Sequence, residues 1–576
     1  MQDRIRWRTE RIIEAFGSAS TFWLVVALAL SCALFLVSQD LQPSDDAYIT
    51  FRHVKNLLEH GRPAWNLTGN PVLGSTTPAF LFALASFCAV FRTNQIDQAA
   101  LYFNATFHFL LVILAFLVAK DLLRRPLPSL FLAALVGVNA VNVYISSAGY
   151  ESTMFLVVLL ACLYCVRIER EGLSLFLSSL APLIRPEGIL AVALVWGYIL
   201  CRRRFNKRLF LAFLPLPLIW LTFATAYYGS SIPHAIEAKK KFPAIYRPYA
   251  GEEVNLVERL PGVLSHASNL WKYQAGSLLL SGSTSRDFLS TLEKVRPWIM
   301  VLGIPLAFLV FVVRPDGRII YLLYAPMFLL LFGWIGHTRQ WYFPSFVVFS
   351  ILILFSGWVR ALDYVFGRLP AIARDWGFRW KVPQVAQLII FLVCVTVNNV
   401  KINHGEYDYR HRGVLFPVHP WGSLWDMWEI QRATHYREAA EYVAARTDPS
   451  EVVLISEVGV FGYHYPGEVI DAIGLCSPEA LDFYPPPDWD IRDSEGNYYN
   501  RGNNLTPSNM VMTLKPDLVV NSRFYIANLL RPGSPFLDEY EEIFRGGRVW
   551  GQTLLIYRRI DGREADDRAS LRPTRP

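Results

Sequence analysis

A polytopic α-helical membrane protein with a C-terminal extracytoplasmic α/β domain is the fold class that this 576-residue sequence predicts. Three observations predict it. Hydrophobic residues make up 53% of the chain and the mean hydropathy is +0.28, above what a soluble domain needs for its core. The apolar residues fall in runs separated by short basic clusters, at Lys120/Arg124/Arg125, Arg167/Arg170, Arg202 to Arg208, Arg314/Arg318 and Arg360 to Lys381. After Asn399 the long runs give way to short strand-like stretches, a helical pattern and Pro-rich loops. The net charge of +7 is dispersed over the basic clusters and forms no continuous basic face, so the charge marks topology and excludes nucleic acid as a partner.

The first span, Thr21 to Val37, follows Arg4, Arg6, Arg8 and Arg11 and is too long for the apolar core of a signal peptide. It reads as a retained span with the N-terminus cytoplasmic. The same rule puts the basic clusters in the cytoplasm and the first loop, 39–97, outside. Two apolar runs separate that loop from Lys120, yet an odd number of crossings is required. Pro78 to Phe91 is shorter than the ~17 residues a spanning helix needs, so it is expected as an interfacial or re-entrant helix, and Gln98 to Ala119 as the span. Outward turns at Ser146 to Glu151, Arg185 to Gly188, 229–296 and Gly336 to Gln340 then give about eleven spans, the last at Gln384 to Val397. Leu173 to Ile184 and Ile189 to Leu200 are short: each rises about 18 Å against a core of ~30 Å.

Within the first outer loop, Ala47, Phe51, Val54 and Leu58 recur at helical spacing with polar residues on the other faces, which predicts a helix along the membrane surface, ended by Gly61-Arg62-Pro63. Residues 1–400 form the membrane module. Residues 401–560 form the α/β domain, with a helix at Arg437 to Arg446 and strands at Val452 to Ser456, Val469 to Leu475, Leu518 to Asn521 and Thr553 to Arg558; 561–576 is a charged, disordered tail. The seven cysteines lie in or beside apolar runs and behave as small hydrophobes, Cys162 and Cys165 included.

Charged residues in such a chain need reasons. Asp45-Asp46 follows Pro43-Ser44 at the head of the surface helix. One carboxylate suffices for a cap; a second at an interface calls for a cation, a base role or a substrate hydroxyl. Glu151 heads a span and reads as a cap or a ligand group. Arg185 and Glu187 flank a proline between the two short spans, where an unpaired charge costs at least ~2.5 kcal/mol, so they are either a self-neutralising pair or cavity-lining groups. His234 and Lys239-Lys240-Lys241 follow the turn after Tyr228, suited to headgroups or to a phosphate. His337, Arg339 and Trp341 share a turn whose aromatics suit an interfacial belt, while Arg339 runs against the positive-inside rule. Asn66-Leu67-Thr68 and Asn504-Leu505-Thr506 match the N-glycosylation pattern, a short and weak signal. No Walker A, dinucleotide fingerprint, nucleophile elbow or zinc cluster occurs, so no nucleotide cofactor is expected.

The order Asp45-Asp46-Ala47-Tyr48-Ile49-Thr50-Phe51-Arg52, Trp65-Asn66, Ser75-Thr76-Thr77-Pro78, Gly149-Tyr150-Glu151-Ser152, Arg185-Pro186-Glu187-Gly188, Tyr228-Gly229-Ser230-Ser231-Ile232-Pro233 and Arg339-Gln340-Trp341-Tyr342 resembles the GT-C membrane glycosyltransferases. The terminal arabinofuranosyltransferases of mycobacterial arabinan synthesis are the nearest in pattern. The resemblance implies surface helices in the first outer loop, a polyprenyl-phosphate-linked sugar such as arabinofuranose as donor, a glycan or cell-envelope acceptor, and membrane lipids as surroundings. Carried onto this chain, it implies Asp45 as base and Asp46 as its partner. Tyr48, Arg52, Glu151, Arg185, Glu187, His234, Lys239, His337, Arg339 and Trp341 are the expected substrate contacts, with a divalent cation (Mg or Mn) held by Asp46 and Glu151. Tyr150 and His234-Ala235 depart from the family pattern, which leaves the sugar open. A lipid-linked sugar transporter or flippase and a non-catalytic lipid-sugar scaffold are the alternatives.

Overall fold

The computed structural model describes residues 16–38, 43–202, 206–241, 261, 318–335, 342–367, 423–484, 506–549 and 552–560. Helix α1 (Ala19–Ser38) is followed by α2 (Asp45–His60), α3 (Pro78–Phe91), α4 (Ile96–Leu123), α5 (Pro126–Gly137), α6 (Ala140–Ser147), α7 (Ser152–Arg167), α8 (Glu171–Ile184), α9 (Ile189–Cys201), α10 (Arg208–Phe213), α11 (Pro215–Tyr228) and α12 (His234–Lys241). Then come α13 (Ile319–Ile335), α14 (Phe343–Gly367) and α15 (Ser423–Ala444). Among the described residues, α1 and α4 are long and apolar enough to cross a membrane, and the bent pair α5 and α6 makes a third if taken as one span. The long loop beyond Lys241, the turn Gly336 to Gln340, the last expected span and the tail 561–576 lie outside the described residues.

Several helix ends follow from local chemistry. Helix α2 starts at extended Ser44 and stops at Gly61, whose φ of 69° is a left-handed conformation that glycine adopts without strain. The helix α5 to α6 path bends by 48° at Val138-Asn139. Asn139 caps α6 by accepting from the Val141 and Asn142 amides, while Asn142 Nδ2 donates to Val136 O (2.9 Å) and His108 Nε2 donates to Gly137 O (2.7 Å). The carbonyls freed by the break are thereby paired within an apolar bundle, which lets the break persist. Between α8 and α9, residues Pro186–Gly188 form one 3-10 turn, and a side chain at Gly188 would collide with the Ala181 backbone.

Two charged clusters mark the two ends of α7. At its C-terminal end Arg167 donates to Asp121 (3.0 and 3.3 Å), Tyr321 donates to the same carboxylate (3.3 Å) and Arg318 donates to the Leu122 carbonyl (3.2 Å). These bonds tie together the ends of α4, α7 and α13 beside the Lys120 basic cluster. Glu151 opens the other end of α7.

The C-terminal unit is a five-stranded sheet of β1 (Val453–Ile455), β2 (Val469–Asp471), β3 (Leu518–Ser522), β4 (Tyr540–Val549) and β5 (Gln552–Arg559), in the order β2-β1-β3-β5-β4. Strands β2, β1 and β3 are parallel, and β5 and β4 add antiparallel. Helix α16 (Gly459–His464) makes the crossover from β1 to β2, and α17 (Ser508–Leu514), α18 (Arg523–Ile526) and α19 (Phe536–Glu539) complete the unit. Side chains alternate between two cores, as the two-residue period of a strand requires. Val453, Ile455, Leu518 and Val520 join the same core as Phe51, Val54 and the membrane helices, whereas Leu454, Val519 and Leu555 pack with Phe536 and Met510 on the far face. The sheet-bearing unit therefore shares a core with the helical bundle.

The four strands expected from sequence are present, and a fifth, β4, is added. Its sequence, YEEIFRGGRV, hides it: charges and a Gly-Gly pair interrupt the alternation, and register shifts at Glu542/Phe544 and Gly546/Arg548 break the period. An edge strand tolerates these features because one side of it needs no partner.

Candidate functional site

Helix α2 is buried between the bundle and the C-terminal unit, packed on α16 along much of its length. It therefore has two functional faces, which separate residues that the sequence grouped together. On the C-terminal side lie Asp45, Tyr48 and Arg52. Arg52 is 5% exposed, stacks on Trp65 (4.7 Å), and directs Nε at Trp65 O (2.7 Å), Nη1 at Gly462 O and Tyr465 O, and Nη2 at Asn66 Oδ1 (3.1 Å) and Gly467 O (2.9 Å). Burial pulls this guanidinium down to about 10. Arg52 is a tether between α2, the Trp65 loop and the loop after α16, not the substrate contact expected of it.

Tyr48 is likewise structural. Its ring is fully buried, edge-on to Phe51 (5.2 Å) and against Tyr463 (5.2 Å). The Trp65-Asn66 loop closes the exposed edge of β2: Trp65 Nε1 and Asn66 Nδ2 both donate to Val469 O, and the Val469 amide donates to Asn66 Oδ1 (3.1 Å). With its amide engaged on both sides, Asn66 is not placed as a glycan acceptor; Asn504 lies outside the described residues. Only guanidinium geometry spans the Arg52 contacts. Arg52→Lys is expected to lower stability by about 2–3 kcal/mol and to raise protease sensitivity of the C-terminal unit, read by thermal unfolding and limited proteolysis in detergent. An unchanged midpoint would refute the tether.

Asp45 is 3% exposed and accepts from the Val460 amide at 2.8 Å. Nearby, Glu457 accepts from Arg432 (2.9 Å) and from the Tyr436 hydroxyl (3.0 Å). Burial pushes the Asp45 carboxyl up to about 7; Arg432 opposes the rise, and Glu457 and Asp46 add to it. A carboxyl with a higher pKa folded than unfolded holds extra protons in the folded state between the two values. Stability contributed by Asp45 thus falls as pH rises from about 4 to about 7 and is level above that. Arg432, Glu457, Asp46, Tyr436 and Tyr525 are the charged and titratable groups facing it. Asp45→Asn should remove this slope, so its thermal midpoint should rise relative to wild type between about pH 4.5 and pH 7.5. Parallel curves would show that Asp45 does not titrate in this range.

About 100° further round α2 is Asp46, half-buried, with a side chain that makes no hydrogen bond among the described residues. Its charge reaches Glu151 and Cys476. Glu151 belongs to a buried cluster with the 3-10 turn between α8 and α9. Arg185, 2% exposed, donates to both Glu151 and Glu187, reaches Ser152 Oγ (3.0 Å), and lies under the Tyr342 ring at 4.5 Å. The sequence left open whether Arg185 and Glu187 neutralise each other or line a cavity; they neutralise each other and recruit Glu151. Three elements are needed for this: the turn ahead of α7, the Pro186 turn, and the start of α14.

One turn beyond Asp46 on α2, Thr50 bonds to Ser75 (3.0 Å), which bonds in turn to Thr77 (2.8 Å). His53, which the sequence did not single out, shapes the strand leading to Ser75. Burial holds it down to about 4 and so neutral; Nδ1 donates to Ile49 O (2.8 Å) and Nε2 accepts from Gly74 N (3.3 Å). Gly74 has no room for a side chain because Cys476 is packed on it. The Cys476 loop is in turn held by Asp471, whose carboxylate accepts from the Ile473 and Cys476 amides at 2.9 Å each.

Of the remaining expected residues, His234 is the one with a described side chain. The His234 amide donates to Leu73 O (3.1 Å), and its ring lies 3.8 Å from Glu237, so it borders the first loop without joining the cluster. Lys239 lies on α12, with its side chain outside the described residues; His337, Arg339 and Trp341 lie outside them altogether. Among the described residues no group of three or more His, Cys, Asp or Glu is placed to hold a metal ion. Glu151, an expected ligand with Asp46, accepts from Arg185 through Oε1.

Residues 427–567 match a family model described as a domain of unknown function, DUF8728. No curated protein matches the sequence. Two solved structures of ArnT from Cupriavidus metallidurans are similar in outline, one in the apo state and one bound to undecaprenyl phosphate. Each is 13% identical with a TM-score of 0.47, over 94% of this chain and 98% and 99% of theirs. At that similarity the likeness specifies neither residues nor substrate.

Proposed function

We propose that the chain is an inverting GT-C glycosyltransferase, which moves a sugar such as arabinofuranose from polyprenyl phosphate to a glycan or other cell-envelope acceptor. The reaction takes place at the outer face of the cell membrane, with the N-terminus cytoplasmic and the C-terminal unit extracytoplasmic. The observation that carries this reading is the buried ion-pair cluster of Glu151, Arg185 and Glu187, within reach of the Asp46 charge, in a chain whose first-loop motifs resemble that class. Three carboxylates against one guanidinium leave the site with an excess of negative charge. Such a site suits an anomeric carbon that becomes positive as its leaving group departs.

Asp46 acts as base. It takes the proton of the acceptor hydroxyl while that oxygen bonds to the anomeric carbon. The bond from carbon to phosphate oxygen breaks on the opposite face, and polyprenyl phosphate leaves with the electron pair. The proton then passes from Asp46 to water. This reverses the roles expected from sequence, since Asp45 is buried against Val460 and Asp46 is not. Arg185 holds Glu151 and Glu187 in place, and the departing phosphate calls for a positive charge beside it.

The test is transfer by the purified full chain, using polyprenyl phosphate loaded with radiolabelled arabinofuranose and cell-envelope glycan as acceptor. Labelled glycan and free polyprenyl phosphate should form in equal amounts. Passage of intact donor across a vesicle bilayer would favour the transporter instead, and donor binding with neither outcome a scaffold.

A further inference from the structure

The parallel strands run in the spatial order β2-β1-β3, so the chain leaves the carboxyl end of β1 toward α16 and β2, and leaves that of β3 the other way, through α18. In open α/β sheets a reversal of this kind opens a crevice at the strand ends, and ligands sit there. This crevice carries polar groups of the binding kind. The Ser456 amide donates to Asn521 Oδ1 (3.1 Å), its hydroxyl meets that of Thr506 (3.1 Å), and Glu457 is held by Arg432 and Tyr436. In the first turn of α16 the Val460 amide donates to Asp45 Oδ1 (2.8 Å).

The fit around Asp45 is close. A side chain at Gly459 would overlap the Asp45 carbonyl, and one at Gly462 would strike the Trp65 ring at 2.6 Å. Glycine at both positions lets α16 lie directly on α2. Arg432 and Glu457 are the leading charges acting on the Asp45 carboxyl. The neighbouring Asp46 projects about 100° further round the helix, and its charge acts on Glu151.

We propose that the C-terminal unit uses its strand-end crevice to bind Asp45 as a built-in ligand, making Asp45 a positioning residue that sets where Asp46 points. The proposal rests on the reading of Asp46 as base. It assigns the C-terminal unit a task inside the reaction centre: it grips the first turn of α2, two turns ahead of the Arg52 tether.

The test compares Asp45→Ala, Asp45→Asn and Gly459→Ala in the full chain in detergent, by hydrogen exchange of peptides covering 43–53 and 458–466 and by turnover of the labelled donor. Asparagine keeps an oxygen that accepts from Val460, whereas alanine does not. Asp45→Ala and Gly459→Ala should speed exchange in both peptides and lower kcat by about ten- to a hundredfold with KM little changed. Asp45→Asn should leave exchange as in wild type and kcat within about threefold, a rescue that a catalytic base would not allow. Unchanged exchange in Asp45→Ala would overturn the proposal, as would an Asp45→Asn loss equal to that of Asp46→Asn. Full turnover by Asp46→Asn would instead sink the base assignment, while the exchange data would still judge the grip.

Discussion

Asp46→Asn is expected to lower kcat for sugar transfer by about 10²- to 10⁴-fold, with KM for the donor close to wild type. The substitution keeps size and polarity and removes only the ability to take a proton. Because the Asp46 side chain is half-buried and makes no hydrogen bond among the described residues, the stability of the variant should stay within about 0.5 kcal/mol of wild type. That combination separates chemistry from folding. Steady-state transfer measured beside thermal unfolding checks it, and a variant that keeps more than about a tenth of wild-type kcat would refute the assignment of Asp46 as general base.

Arg185→Gln should be the most destabilising single change. Arg185, Glu151 and Glu187 are all buried, and the guanidinium donates to both carboxylates. Removing it leaves two like charges facing each other out of water, which in buried pairs costs about 3–5 kcal/mol. The cation over Tyr342 is lost as well. The same argument predicts a rescue: adding Glu151→Gln and Glu187→Gln to the Arg185→Gln chain should recover more than half of the lost stability, because no uncompensated charge remains. Thermal unfolding of the three proteins in one detergent gives the comparison. A single substitution that costs under about 1 kcal/mol would mean that the cluster is solvated rather than buried.

Much of the fold can be read from local pattern. The run at Thr21 to Val37 is α1, the 3.6-residue spacing from Ala47 to Leu58 is α2, and the Pro186 interruption is a turn between two short helices. Each of these depends on residues close in sequence, where propensity and period decide. The meeting of Glu151 with Arg185 and Glu187 was half legible: unpaired charges in apolar surroundings demand partners, and sequence identified the charges without pairing all of them. Strand β4 and the roles of His53, Arg432 and Glu457 left no comparable trace, because a polar residue in a helix or an edge strand looks the same whether it faces water or a buried partner.

For Asp45-Asp46, sequence alone determined that two adjacent carboxylates open a helix beside a membrane and that one of them exceeds the needs of a cap. Which carboxylate meets which neighbour was decided only by tertiary structure. Adjacent residues on a helix point about 100° apart, so the pair divides wherever two bodies pack on the helix from different sides. Here α16 takes Asp45, through an amide 415 positions further along the chain, while the Asp46 charge acts on Glu151 and Cys476. Contacts between residues so far apart depend on how whole elements pack, and no local pattern encodes them.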